Sequence, residues 1–446
     1  MALTGIEIFK LLAKTNCKEC GFPTCLAFAM ALASGKAELD ACPYVSDEVR
    51  EKLAEASAPP IRPVKLGPKD ALKTIGGETV MFRHEKTFFN PTLIAGLLTT
   101  AMSDAEVSQK IDTFNKLQFE RVGLNLRPEM FAIKDVDGDA GKFTALVKKV
   151  MDGSDALIML MGDKPEVVKA GAEAAKERRP LLYAATAATA DVCGGLAKEM
   201  DLPLVAKAEG YDALAELTTK LTGMGLKDLV LDSGSRTLKQ ALQDQIVFRR
   251  AALVPKFRPF GFSTVCFPCE MTDDPMKEAL YAAVFIAKYG GIVVLSDLTA
   301  HGVFPLLLSR LNIYTDPQKP MIVTQGIYPL NNPDENSPIA ITTNFALTYF
   351  IVSGEIEGSK VPTWLMIMDT EGLSVMTAWA AGKFVGDAVG MFVKKSGITE
   401  KAKTRTLIIP GYAAAISGDL EEELPDWKIL IGPREASHIP AFLKSL

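Results

Sequence analysis

Four cysteines near the N-terminus, Cys17, Cys20, Cys25 and Cys42, follow the spacing C-x2-C-x4-C-x16-C, with Pro43 after the last. Two thiolates three positions apart reach one metal centre from a tight loop, and Gly21 and Pro23 suit such a loop. Cys25 then opens an apolar helix, "CLAFAMALASG", and the chain returns to place Cys42. Four convergent thiolates suit either a structural zinc or an iron–sulfur cluster. Two features favour the cluster. Zinc ribbons space two similar CxxC pairs, whereas here sixteen residues split the second pair. Phe22, Leu26, Phe28 and Met30 make the surroundings apolar, and burial tunes a cluster's potential.

The other three cysteines read differently. Cys193, in "ADVCGG", is expected to be a small buried hydrophobe. Cys266 and Cys269 form "CFPC" at the end of a predicted strand. A CxxC pair is redox-active or half of a metal site, but no other cysteine or nearby histidine completes one, so two free thiols are expected.

The elements that must position these groups fall into three blocks. The cysteine segment runs over 1–57, and "SAPPIRPVKLGP" begins a proline-rich linker over 58–77. From 78 to 320, short apolar strands alternate with helical patterns. The expected strands are Thr79–Phe82, Phe119–Leu124, Ala156–Met161, Leu181–Ala185, Leu204–Lys207, Leu229–Asp232, Ser263–Phe267 and Ile292–Ser296. Eight strands with helical crossovers predict a (β/α)8 TIM barrel. Arg83, His84, Asp163, Thr186, Asp232 and Asp297 stand at strand ends, where a barrel carries function or caps the next helix. From 321 to 446, "PIAITTN", "TWLMIMD", "RTLIIPG" and "WKILIGP" read as strands of an open α/β sheet, whose ligands sit beyond strand C-termini. The fold class is therefore α/β.

Composition narrows the function. The 446 residues are 48% hydrophobic and 23% charged, with a net charge of −5, which gives no support to a nucleic-acid partner. No apolar run is long enough to span a membrane, and "MALTGIEIFKLLAKTNC" has no signal-peptide core, so a cytoplasmic location is expected. In a reducing cytosol clustered cysteines are metal ligands rather than disulfides. There is no GxxxxGK[ST] loop and no GxGxxG after a strand, which argues against nucleotide-driven or nicotinamide chemistry.

The cysteine segment, the (β/α) block and the tail motifs "TTNFALTYF", "DTEGLSVMTAWAAGKF" and "LIIPGYAAAISGDLEEELPDW" together resemble the large (gamma) subunit of corrinoid iron–sulfur proteins of the reductive acetyl-CoA pathway. The resemblance covers essentially the whole chain. It implies a methyl carrier: a cobalt corrinoid takes a methyl group from methyltetrahydrofolate through a separate methyltransferase and gives it to acetyl-CoA synthase/CO dehydrogenase. It further implies a 4Fe–4S cluster that returns Co(II) to Co(I), with Cys17, Cys20, Cys25 and Cys42 as ligands, and a smaller TIM-barrel subunit completing a heterodimer. Whether such a subunit is itself an enzyme is left open.

For the corrinoid, the resemblance points to the C-terminal domain. A corrin needs an apolar floor, donors for its amide arms and close approach at glycine. "DTEGLSV" follows a strand and opens a helix, offering Thr370, Glu371, Gly372, Leu373 and Ser374 with helix N-terminal N–H groups. Pro410, Gly411 and Tyr412, and Gly432, Pro433, Arg434 and Glu435, follow two further strands; "TTNFALT" adds Thr343, Asn344, Ala346 and Thr348. Each loop also reads as an ordinary strand-to-helix turn. The chain's three histidines, His84, His301 and His438, lie outside any D-x-H-x-x-G motif. A base-off corrinoid with no protein histidine on cobalt is expected. Two alternatives remain: a pterin-binding barrel methyltransferase, with Asp232 in "LVLDSGSR" meeting the pterin, and a cluster-only electron-transfer protein.

Overall fold

The computed structural model describes residues 5–33, 37, 39–46, 49–50, 59–121, 124–316 and 320–446, with only the backbone of Asp40. The expected boundary at 57/58 lies outside the described residues. The chain forms two compact units: 1–81, 89–114 and 128–310 make the first, and 82–88, 115–127 and 311–446 the second.

The first unit holds a closed parallel barrel. Its strands are β1 (Leu93–Thr99), β2 (Met130–Lys134), β3 (Leu157–Met161), β4 (Leu181–Ala185), β5 (Leu204–Lys207), β6 (Leu229–Asp232), β7 (Ser263–Cys266) and β8 (Ile292–Leu295). Each pairs with the next, and β8 closes on β1 through Ile292 opposite Leu93. The strands are apolar on both faces because the barrel interior and the helices bury them. Leu93, Ala95, Met130, Met159, Tyr183, Val205, Val230, Phe267 and Val294 share the core. Asp139 and Asp274 cap the helices Ala140–Gly153 and Pro275–Ala287, each accepting two backbone N–H bonds.

The expected count of eight strands holds, but the first two were misplaced. Thr79–Phe82 is irregular, and the true first strand is "LIAGLLT". Its Gly96 obscured the β pattern; a Cβ there would stand 2.8 Å from a Leu298 methyl, so packing against Leu298 excludes a side chain. Of the expected strand Phe119–Leu124, Phe119–Arg121 pairs antiparallel with Leu124–Leu126 in the second unit, outside the barrel. Arg83 and His84 are therefore not barrel-strand ends: Arg83 donates to the Thr315 carbonyl at 3.1 Å and His84 stacks on Phe82. The stretch expected as linker is partly structured. Val64–Leu66 and Lys73–Ile75 pair as a hairpin, and Val64, Leu66 and Ile75 are buried in the barrel core.

The second unit is an open sheet of β9 (Gly326–Leu330), β10 (Ile339–Thr343), β11 (Thr363–Met368), β12 (Thr406–Ile409) and β13 (Lys428–Ile431). The order is β9-β11-β10-β12-β13, all parallel except the edge strand β9. The four expected strands are present. The unpredicted β9 carries Pro329, which an edge tolerates. Ile341, Met368 and Ile409 pack on one face against Phe384, Val389 and Leu420; Ile367 and Ile408 pack on the other against Ile356 and Leu443. The parallel strands reverse direction of winding between β10 and β12, and a doubly wound sheet opens a crevice at that point. Among the described residues no helix is long and apolar enough to cross a membrane.

Candidate cofactor sites

At the β10/β12 switch point lies a cavity of about 390 Å³. Ile341 and Thr342 of β10 and Ile408 and Ile409 of β12 form its floor, while Val352, Ile356, Phe442 and Leu443 supply apolar walls. The loops after β11, β12 and β13 form the rim. The cavity thus gathers Thr348, Ser374, Pro410, Tyr412, Gly432, Pro433, Arg434 and Glu435 from four separate stretches of sequence. Across the rim the Tyr412 hydroxyl donates to Glu435 at 3.0 Å, and that carboxylate raises the phenol's pKa. Gly411 is needed behind the rim: a Cβ would stand 2.6 Å from the Gly432 carbonyl oxygen and 2.7 Å from the Arg434 nitrogen. No histidine lines the cavity.

Thr342 is the polar group that sequence reading missed. Its hydroxyl is buried and has no hydrogen-bond partner, and the residue lines the cavity. Its signal, a hydroxyl at the C-terminal end of an otherwise aliphatic strand, was present in "AITTN". The neighbouring Thr343 hydroxyl is also buried without a partner but does not line the cavity.

The other expected residues, Thr343, Asn344, Ala346, Thr370, Glu371, Gly372, Leu373 and Gly411, are not in the cavity wall. The N–H groups expected to be free for a ligand are already engaged. Those of Thr370 and Gly372 donate to Asn344 Oδ1, and that of Glu371 to Asp369. Glu371 and Gly372 take left-handed conformations with φ of 57° and 76°, and Glu371 pairs with Lys383.

In the cysteine segment, the helices Gly5–Leu11 and Cys25–Ala33 pack together, and Cys25 and Cys42 are buried with Ile8, Leu12, Phe28 and Val45. Cys20 packs against this cluster. Left-handed Lys14, Asn16, Lys18 and Gly21 curl the preceding loop. Asn16 anchors it to the helix start: its side-chain oxygen accepts the Cys25 N–H at 2.7 Å, and its own N–H donates to Cys25 Sγ at 3.3 Å. The four thiols are free, and among the described residues no three cysteine, histidine or acidic side chains stand close enough to hold a metal ion. Tyr44 donates to Glu19, whose hydrogen bond and charge raise its pKa, with smaller contributions from Cys17 and Cys42.

At the barrel's strand ends, Asp232 is fully engaged. It accepts from Tyr183 at 2.7 Å, from Gly234 at 2.8 Å, and from Arg236 at 2.9 and 3.1 Å. Arg236 also pairs with Glu270, which Lys134 contacts at 3.1 Å. No oxygen of Asp232 is left for a pterin. Burial raises both nearby thiols, Cys269 to about 12, so neither Cys266 nor Cys269 is a reactive thiolate. Of the remaining strand-end residues, Thr186 bonds Thr189 in the turn before the next helix and Asp297 pairs with Lys110 at 2.7 Å.

A closed barrel, a cysteine segment ahead of it and an open sheet with an apolar switch-point cavity define an α/β protein of more than one domain. A family model described as "CO dehydrogenase/acetyl-CoA synthase delta subunit" matches residues 63–443, and one described as "Putative Fe-S cluster" matches residues 12–44. The corrinoid/iron–sulfur protein large subunit of Moorella thermoacetica is 43% identical over 445 residues, covering 100% of this chain and 99% of that protein. The acetyl-CoA decarbonylase/synthase complex subunit gamma of Methanopyrus kandleri is 35% identical over 99% of this chain and 97% of its own length. That of Methanothermobacter thermautotrophicus is 32% identical, covering 100% and 99%. The dihydropteroate synthase of Vibrio fischeri superposes with a TM-score of 0.40 at 13% identity over 57% of this chain and 99% of that one, a likeness from which nothing about activity follows. The chain belongs to the family of corrinoid/iron–sulfur protein large subunits and acetyl-CoA decarbonylase/synthase gamma subunits.

Proposed function

We propose that the chain is the large subunit of a corrinoid iron–sulfur methyl carrier. The observation that carries this reading is the switch-point cavity: apolar walls, glycine-dependent close packing at the rim, and an orphaned buried hydroxyl at Thr342. These residues fit a corrinoid. Val352, Ile408 and Phe442 would accept apolar surface, the hydroxyls of Thr342, Thr348 and Ser374 would meet amide groups, and Arg434 at the rim would meet carbonyl or phosphate oxygens. At about 390 Å³ the cavity is smaller than a whole corrinoid, so part of the ligand stays outside it, within reach of partners.

The cysteine segment fits an iron–sulfur cluster by the chemistry of its donors. Cys17, Cys20, Cys25 and Cys42 supply four thiolates, and the Asn16 N–H already donates to Cys25 Sγ as hydrogen bonds to cluster sulfurs do. The corrinoid supplies a cobalt that accepts a methyl group from methyltetrahydrofolate and donates it to acetyl-CoA synthase/CO dehydrogenase, while the 4Fe–4S cluster supplies the low-potential electron that returns oxidised cobalt to its reactive state. The protein's part would be to bind and orient the corrinoid. The expected base-off corrinoid without a protein histidine ligand is part of this reading, and no histidine lines the cavity.

The partners on this reading are the smaller TIM-barrel subunit, the methyltetrahydrofolate:corrinoid methyltransferase and acetyl-CoA synthase/CO dehydrogenase, in the cytoplasm. The test is transfer of isotopically labelled methyl from methyltetrahydrofolate, with that methyltransferase present, to the anaerobically purified and reduced protein. Label bound to the protein in proportion to its cobalt is expected. Cobalt-loaded, reduced protein that takes up no label would overturn the reading.

A further inference from the structure

Asn344, directly after β10, is buried and lies outside the cavity wall, yet its side-chain amide makes four hydrogen bonds to a single loop. Oδ1 accepts the N–H groups of Thr370 and Gly372, both at 3.0 Å, and the Thr370 hydroxyl at 3.1 Å. Nδ2 donates to Asp369 at 2.8 Å, and the same Asp369 oxygen takes the Glu371 N–H at 2.9 Å. The loop follows β11, the neighbour of β10 in the sheet. It is also the loop whose two left-handed residues, Glu371 and Gly372, need an outside constraint. Directly after it come Ser374, Val375 and Met376, which form one side of the cavity.

We propose that Asn344 is a positioning residue for that cavity: its amide fixes the Asp369–Leu373 loop, and the loop sets where Ser374, Val375 and Met376 stand in the wall. The inference rests on the reading of the cavity as the corrinoid site. An amide suits the task because one atom accepts while the other donates. Asparagine replaced by alanine leaves the N–H groups of Thr370 and Gly372 without acceptors inside the protein. Replaced by aspartate, it keeps the acceptor but sets a carboxylate against Asp369. Glu371, paired with Lys383, is the loop's other carboxylate and is common to all variants.

The test uses the full chain and cobinamide as probe, with site-resolved hydrogen exchange of the corrinoid-free protein. N344A is expected to lose protection at the Thr370 and Gly372 amides and to bind cobinamide roughly 10- to 100-fold more weakly. N344D is expected to bind about tenfold more weakly at pH 7 and to recover as the pH is lowered toward 5, where one proton shared by the two carboxylates replaces the lost N–H. The wild type has no second carboxylate beside Asp369 and shows no such recovery, a difference that a general loss of stability does not produce. Wild-type protein that binds no cobinamide removes the reading of the cavity and the inference with it. Wild-type binding matched by N344A and N344D at every pH removes the inference alone.

Discussion

Replacing Thr342 by valine should move stability and ligand affinity in opposite directions. The two side chains have nearly the same shape, so the change exchanges a hydroxyl for a methyl. In the ligand-free protein Thr342 is 1% exposed and its buried hydroxyl is unpartnered. A buried, unsatisfied polar group costs about 1–3 kcal/mol. Removing it should stabilise the corrinoid-free protein by about 1 kcal/mol, the low end of that range. With ligand, the same change deletes a hydrogen bond and strands its partner, for a loss of about 1.4–3 kcal/mol, or ten- to a hundredfold in affinity. Thr343 is the control: its hydroxyl is equally orphaned but outside the cavity, so T343V should gain stability and leave affinity unchanged. Denaturant unfolding of the corrinoid-free chains and cobinamide titration measure both quantities. T342V that binds cobinamide as tightly as wild type, or both valine variants weakening binding alike, would refute the reasoning.

Three further outcomes are expected. G411A forces a Cβ into backbone atoms 2.6–2.7 Å away and should cost about 3 kcal/mol, whereas G354A, with nothing within 4 Å on an exposed helix face, should gain about 0.5–1 kcal/mol, both read by denaturant unfolding. Glu270 is opposed by burial, but the hydrogen bond and charge of Arg236 and of Lys134 outweigh it and hold the carboxyl below its ordinary value. Its contribution is present above the unfolded pKa and lost as pH falls through the folded one. E270Q should therefore be less stable by about 1 kcal/mol at pH 7, with the gap closing below about pH 4; a constant gap would contradict this. C25A should lose cluster iron, while C266A and C269A should leave iron and cobalt content unchanged, as elemental analysis would report.

The sequence disclosed most where residue type and position both mattered. The switch-point loops were legible because glycine, proline and hydroxyl residues follow aliphatic strands, and the structure gathers Thr348, Ser374, Tyr412 and Arg434 at one cavity. Asn344 stands in the sequence as a cofactor-binding candidate, and only the folded chain reveals that its amide accepts the N–H groups of Thr370 and Gly372. Six barrel strands were legible as short, mostly apolar runs. The first was hidden by Gly96, and "TVMF" carried the β pattern without gaining a partner strand. Val64 and Ile75 were hidden for a similar reason: prolines around them signalled a linker, while burial in the barrel core made a hairpin. The barrel's strand-end charges illustrate the opposite limit. Asp232 sits where barrels carry function, yet Arg236 and Tyr183 occupy it completely, a pairing across 49 residues for Tyr183 that no local pattern signals.

The central claim, that one chain carries a corrinoid together with a four-thiolate cluster, is tested most directly by the cobalt and iron content of the anaerobically purified protein. The account predicts about one cobalt and about four irons per chain, the iron lost on C25A and the cobalt retained. Zinc in place of iron, or iron with no cobalt in protein that has been offered a corrinoid, would contradict it.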